Sequence, residues 1–226
     1  MLQVTRLVLI RHGESNATVT RSIGGPRSCN GLSPLGRQQA EALRDRWMVR
    51  PELDVDVLVT SHYQRAQETA RIVAPALGEV ELLVNAGFGE HDPGPDCDGL
   101  SFDEYTERHR GGLAAWEVGD PFAVTFPGGE TVAAFQYRVG AALWQILGDH
   151  AGSTIVIVCH GGVVDTVMRL ALKSPAMGGF EMHTANTSIT ELVVVRAGLW
   201  RLLRYNDSAH LAGLPSSTAV LVEGSA

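Results

Sequence analysis

The chain has 226 residues, a formal net charge of −7 and 45 % hydrophobic residues, which suits one large or two small soluble domains rather than a disordered or membrane-spanning chain. The acidic balance counts against a nucleic-acid or membrane-surface binder and, taken alone, mildly against an anionic substrate. Lys173 is the only lysine among the 18 basic residues, so individual arginines are candidates for two-pronged anion binding that lysine performs poorly.

In chain order, residues 6–10 (RLVLI) form a short apolar run that predicts a buried strand, stopped by Arg11-His12-Gly13. Residues 17–32 predict a loop; Ser33-Pro34 opens a helix with an apolar stripe of Leu35, Ala42, Leu43 and Trp47. A second strand is expected over 55–60, ending at Ser61-His62. A helix follows from about Gln64, with Ala66, Ala70, Val73 and Leu77 on one face. Val80 to Val84 predict a third strand, and the Gly-, Pro- and Asp-rich stretch 86–99 a loop. Residues 101–118 read as a helix broken at Gly111-Gly112. Thr131 caps a helix running to about Gly148. Residues 154–159 (TIVIVC) are the most strand-like run; they end at His160-Gly161-Gly162, ahead of a helix over 163–172. Residues 189–195 and 199–205 predict a hairpin, and 207–226 a loose tail.

Strands alternating with helices imply an α/β three-layer sandwich: a mostly parallel sheet, helices on both faces, and a cap-like insertion over 86–130. We expect a single domain, 1–226. Cys29, Cys97 and Cys159 are widely spaced without a CxxC pattern, which suits a reducing compartment and offers no metal motif. The N-terminal apolar run is interrupted by Arg6 and Arg11, unlike a signal peptide, so the expected location is the cytoplasm.

Ligands in an open parallel sheet bind beyond the carboxyl ends of its strands. Arg11 and His12, Arg65 one turn into a helix, Glu90 in the glycine-rich loop, and His160 fall there. Two guanidiniums can grip a phosphoryl group, a neutral imidazole can attack phosphorus, and a second, protonated imidazole can stabilise its oxygens. A carboxylic acid can protonate the leaving oxygen and then take a proton from water. No metal or cofactor is required by this set.

The order of these elements resembles the histidine phosphatase superfamily, also called the phosphoglycerate mutase-like family, from about residue 5 to residue 206. RHGES at 11–15 resembles its opening signature. The segments 32–40 (LSPLGRQQA), 61–70 (SHYQRAQETA), 90–94 with 98–100 (EHDPG and DGL), 126–131 (FPGGET) and 159–162 (CHGG) resemble its further elements. The resemblance implies that His12 becomes phosphohistidine, that Arg11, Arg65 and His160 hold the phosphoryl group, and that Glu90 moves the proton. It further suggests Asn16, Gly161 and one of Ser22, Ile23 or Gly24 as substrate contacts, and His62 as a substrate-facing residue. Two departures stand out: Asn16 follows Ser15 directly, and the Glu90 loop carries an extra residue before Asp98-Gly99.

The expected activity is metal-independent hydrolysis of a small phosphorylated metabolite. The alternatives are mutase-type phosphoryl transfer and an inactive binding module. A mutase should carry more basic residues in its insertion; region 100–130 offers Arg108 and Arg110 beside an acidic loop. The partner expected is a small phosphorylated substrate, with neither nucleic acid nor membrane; a homodimer is compatible with the sequence.

Overall fold

The computed structural model describes residues 4–110, 119–177, 180–196 and 198–215. The expected break at Gly111-Gly112 and the tail beyond 215 lie outside them. A six-stranded sheet with order β3-β2-β4-β1-β5-β6 forms the middle layer. Its strands are β1 (Thr5–Arg11), β2 (Val57–Thr60), β3 (Leu82–Val84), β4 (Thr154–Cys159), β5 (Ile189–Arg196) and β6 (Leu199–Asp207). β1 to β4 are parallel; β5 runs antiparallel to β1, and β6 antiparallel to β5. The mostly parallel three-layer architecture is the expected one.

The apolar runs are continuous because both sheet faces are covered. Leu7 and Leu9 of β1, Val57 and Val59 of β2, and Ile155 and Ile157 of β4 pack into one core. Their partners there are the helices α6 (Val132–Asp149) and α7 (Gly161–Leu172). The alternate residues Val8, Ile10, Leu58, Val156 and Val158 face α2 (Pro34–Val49) and α3 (Gln64–Val73). Ser33 caps α2 through the Gly36 N–H, and Thr131 caps α6 through the Ala134 N–H, as their positions ahead of the helices predict. The buried stripe of α2 centres on Gly36, Gln39, Ala40, Leu43 and Trp47, so the expected stripe is rotated and Leu35 and Ala42 lie at its margin.

Three segments are more ordered than their composition suggests. Ser15 caps a helical turn, α1 (Asn16–Val19), inside the expected loop. Residues 86–99 hold a 3₁₀ turn (Ala86–Phe88) and another short turn, α4 (Gly94–Cys97). α5 (Phe102–Arg108) follows, opened by a Ser101/Glu104 capping box. The start of the expected tail is β6 and a 3₁₀ turn at Ala209–Leu211, where His210 Nε2 meets Thr187 Oγ1 at 2.9 Å. Among the described residues no helix is long and apolar enough to cross a membrane.

β1 leads to α2 on one face and β4 is followed by α7 on the other. The chain diverges between these neighbouring strands and leaves a crevice at their carboxyl ends, the topological switch point of an α/β sheet.

Candidate active site

Register creates the centre of the site. Arg11 pairs with Cys159, so the next residues, His12 and His160, stand side by side with ring centroids 5.0 Å apart. His12 is 6 % exposed and His160 fully buried. His12 Nδ1 lies 2.6 Å from the Gly13 carbonyl, which can only accept; Nε2 lies 3.0 Å from Arg65 Nε, which can only donate. The imidazole is therefore neutral, with its proton on Nδ1 and its lone pair on Nε2. Burial pushes its pKa well below the ordinary value, helped by Arg65 and Arg11. Gly13 makes this placement possible: a Cβ there would run into the Gly36 carbonyl at the start of α2.

Arg65 sits in the first turn of α3, 5 % exposed. Its guanidinium lies 4.5 Å above the Tyr63 ring and donates from Nη1 to the Gly24 carbonyl at 2.9 Å. Arg11 donates from Nη1 to the Thr184 carbonyl, while its buried Nε has no protein partner. Burial lowers the Arg11 pKa, opposed by the Glu90 carboxylate. His160 caps α7, with Nε2 2.7 Å from Ser61 Oγ. Ser61 Oγ already accepts from the Tyr63 N–H at 3.1 Å, so its hydroxyl is free to donate to Nε2 and leave the His160 proton on Nδ1. That Nδ1 is buried with no protein partner, which marks it, with Arg11 Nε, as a ligand-facing donor.

The sequence reading expected a protonated second imidazole. Burial, then Arg65, His12, His62 and Arg11, instead hold His160 well below its ordinary pKa and neutral. It offers an N–H dipole, and an arriving phosphoryl dianion would favour its charging.

Glu90 reaches the crevice from the turn after β3. Its Oε2 accepts from the Gly162 N–H in the first turn of α7 at 3.1 Å, and its Oε1 from the His91 N–H at 3.0 Å. A Cβ on Gly162 would run into the Glu90 carboxylate, so glycine there lets the acid approach the helix terminus. Arg11, His12, Arg65, Glu90 and His160 thus converge as the sequence places them.

The other candidates differ. Gly24 receives Arg65 through its carbonyl, and Gly161 lies beside Arg11, whose Nε would be 3.6 Å from a Cβ at that position. Asn16 turns its amide to the Asn30 carbonyl at 3.2 Å, and Ser22 its hydroxyl to Thr20 Oγ1 at 2.9 Å; both side chains tie their own loop. His62 is exposed, with its ring edge-on to Tyr63 at 4.8 Å and in contact with Gly89. Partial burial and then Arg138 lower its pKa, opposed by Asp92.

Several contributors escape sequence reasoning. Tyr63 is buried beneath Arg65, Ser61 bonds His160, and Asn186 donates from Nδ2 to the His12 carbonyl at 2.9 Å. Ser61 and Tyr63 flank His62 at the strand end, a position that could have flagged them; Asn186 lies far along the chain without a pattern. His91 bonds the Glu130 carbonyl and packs on Phe126 and Phe135, as a packing residue should. Among the described residues no group of three His, Cys, Asp or Glu side chains converges to hold a metal ion.

The chain is 29 % identical over 205 residues to phosphoglycerate mutase-like protein 4 of Arabidopsis thaliana, covering 91 % of this chain and 86 % of that one. The solved structure of Bacillus stearothermophilus YhfR superposes with a TM-score of 0.79 at 28 % identity, covering 92 % of this chain and 99 % of that one. A mycobacterial glucosyl-3-phosphoglycerate phosphatase in complex with VO3 superposes with a TM-score of 0.72 at 26 % identity, covering 89 % and 98 %. The model of the histidine phosphatase superfamily (branch 1) matches residues 7–208, and the chain belongs to that superfamily.

Proposed function

We propose that the protein hydrolyses small phosphomonoesters without a metal, through a phosphohistidine at His12. The observation that carries this reading is the His12 ring. It is neutral, with its lone pair on Nε2, beside two guanidiniums and the His160 imidazole. A phosphoryl group entering between His12 and Arg65 takes the guanidinium donors and frees the lone pair. Nε2 then bonds to phosphorus as the ester oxygen departs with a proton from Glu90. Water next attacks phosphorus, gives its proton to the Glu90 carboxylate and breaks the P–N bond, which returns His12 to its starting state. Arg11 Nε and His160 Nδ1 supply preset donors for the phosphoryl oxygens.

Hydrolysis is favoured over mutase transfer by the carboxylates that two of the arginines around the cap already face. Arg27 donates to the Pro95 carbonyl and faces Asp98 at 3.6 Å, and Arg108 faces Glu104 at 3.5 Å. Neither is set up for a second anionic group. An inactive module is disfavoured because all five reacting groups come together.

The test is hydrolysis of 4-nitrophenyl phosphate with EDTA present, followed by quenching of a slow substrate in alkaline denaturant. An acid-labile, base-stable phosphoryl label should form on the wild type and not on His12→Ala, whose activity should fall by about 10⁴-fold or more. An active His12→Ala variant refutes the mechanism, and rapid interconversion of 2- and 3-phosphoglycerate refutes the choice of hydrolysis.

A further inference from the structure

Arg138, on α6, is one of the most heavily engaged side chains outside the reacting set. Its Nη1 donates to the carbonyls of Ala86, Gly87 and Gly89 at 3.3, 3.0 and 3.2 Å, and its Nη2 to the Glu90 carbonyl at 3.2 Å. Nε and Nη2 also grip the two carboxylate oxygens of Glu130, each at 2.7 Å. Glu130 in turn accepts from the Asp92 N–H at 3.0 Å and, through its own carbonyl, meets His91 Nε2 at 2.7 Å. One ion pair therefore holds the backbone before, at and after Glu90.

The loop's own order is local, a single 3₁₀ turn over Ala86–Phe88 that Asn85 caps and buried Phe88 anchors. Beyond that turn the carbonyls of Gly87, Gly89 and Glu90 have no strand or long helix to satisfy them, and Arg138 does so instead. Among the described residues the Glu90 carboxyl accepts hydrogen bonds from only two groups, the His91 and Gly162 N–H. Its location therefore depends on the backbone that Arg138 and Glu130 clamp, with the Tyr63 hydroxyl donating to the same Glu90 carbonyl at 3.4 Å. A bidentate guanidinium–carboxylate pair suits this task, because the fork fixes direction as well as charge.

We infer that Arg138, locked by Glu130, is the positioning residue that aims the Glu90 carboxyl at the leaving-group oxygen. This rests on the proposed role of Glu90 as proton donor. The consequence is selective. An alkyl ester needs its departing oxygen protonated, whereas nitrophenolate leaves without help. A misplaced acid should slow alkyl esters and largely spare aryl esters.

The experiment compares kcat/KM for glycerol phosphate and 4-nitrophenyl phosphate in the full-length protein. This parameter stops at phosphoryl transfer to His12 and is blind to the later hydrolysis step. Glu90→Gln is the reference and should lower the alkyl-to-aryl ratio by about 10²-fold or more. Arg138→Met should lower the same ratio by about 10- to 100-fold, the scale of a misplacement near 1 Å. Arg138→Lys should rescue little, since it lacks the fork. Should Arg138→Met fail to fold, Arg138→Lys and Glu130→Gln carry the same comparison and should lower the ratio in the same direction.

Equal losses on both esters, or an unchanged ratio, in the Arg138 and Glu130 variants while Glu90→Gln shows the split overturn this inference alone. If Glu90→Gln itself shows no split, the assignment of Glu90 as the acid fails, and the inference with it.

Discussion

Two arginine clusters in this protein use the same side chain in opposite ways. Between the sheet and α2, Arg46 bonds Glu52 at 2.8 Å and Asp207 at 2.7 Å. Arg204 bonds Glu52 at 2.6 Å and Glu191 at 2.8 Å, and Arg6 also bonds Glu191. Three guanidiniums meet three carboxylates there, and the charges cancel. In the crevice, Arg11 and Arg65 are held by neutral acceptors: the Thr184 and Gly24 carbonyls and His12 Nε2. Carbonyls fix a guanidinium's direction without neutralising it, so its charge stays available to an anion. A net charge of −7 therefore says little about the crevice. What matters is which partner each arginine is given.

The difference can be broken most sharply by exchanging arginine for lysine in the crevice. Arg65→Lys keeps the charge and loses the fork that serves His12, Gly24 and a phosphoryl group together. We expect kcat/KM to fall by about 10²- to 10³-fold. A loss under about 5-fold would mean that charge alone suffices there and that the geometric distinction between the clusters has no catalytic meaning.

The converse substitution is Arg204→Met. It leaves Glu191, whose side chain is 3 % exposed, with Arg6 as its remaining cation. Removing one member of a partly buried network should cost about 3 kcal/mol, a drop of roughly 6–12 °C in Tm for a chain of this size. Activity at 25 °C should stay within about 2-fold, since no side chain of the network bonds a reacting group. A variant that keeps its Tm but loses activity would reverse the roles assigned to the two clusters.

The two clusters also differ in how far the sequence discloses them. Arg11 and His12 end a strand and His160 ends another, so a residue's place in the strand–loop alternation is enough to bring them to one edge. Arg65 follows because it lies one turn into the helix after the next strand. The ion-pair network has no such grammar: Glu52 lies in a loop, Arg46 on α2, and Glu191, Arg204 and Asp207 on a hairpin far along the chain. Only the packing of α2 over that hairpin joins them. The same holds for Asn186, and for the grip of Arg138 on the 86–90 loop, because these contacts are to backbone carbonyls that carry no sequence signature. The helical turns at 16–19 and 94–97 interrupt the loops expected over 17–32 and 86–99, because single turns are set by local capping and tertiary contacts, not by an apolar period.

His210 links the two regions and gives the smallest expected effect. It touches Thr187, whose N–H bonds the Arg11 carbonyl, while Arg46 of the network acts on it from the other side. Burial, with Arg46 adding to it, lowers its pKa to about 4 in the folded protein. The unfolded chain titrates near 6.5, so between these values it binds a proton that the folded form refuses, and stability rises with pH. The contribution is complete above about pH 6.5 and is lost as pH falls towards 4, reaching about 2 kcal/mol at pH 5, or roughly 4–8 °C in Tm. Buried His12 and His160 titrate with the same sign. Asp207, held low chiefly by Arg46, adds its loss only below about pH 4, where carboxylates protonate. His210→Gln should flatten Tm between pH 7 and 5 in part, leaving the steeper acid limb in place. Inorganic phosphate should recover the His12 and His160 share by charge pairing but not the His210 share. If His210→Gln loses as much Tm over that interval as the wild type, burial of this imidazole does not couple the crevice to the network.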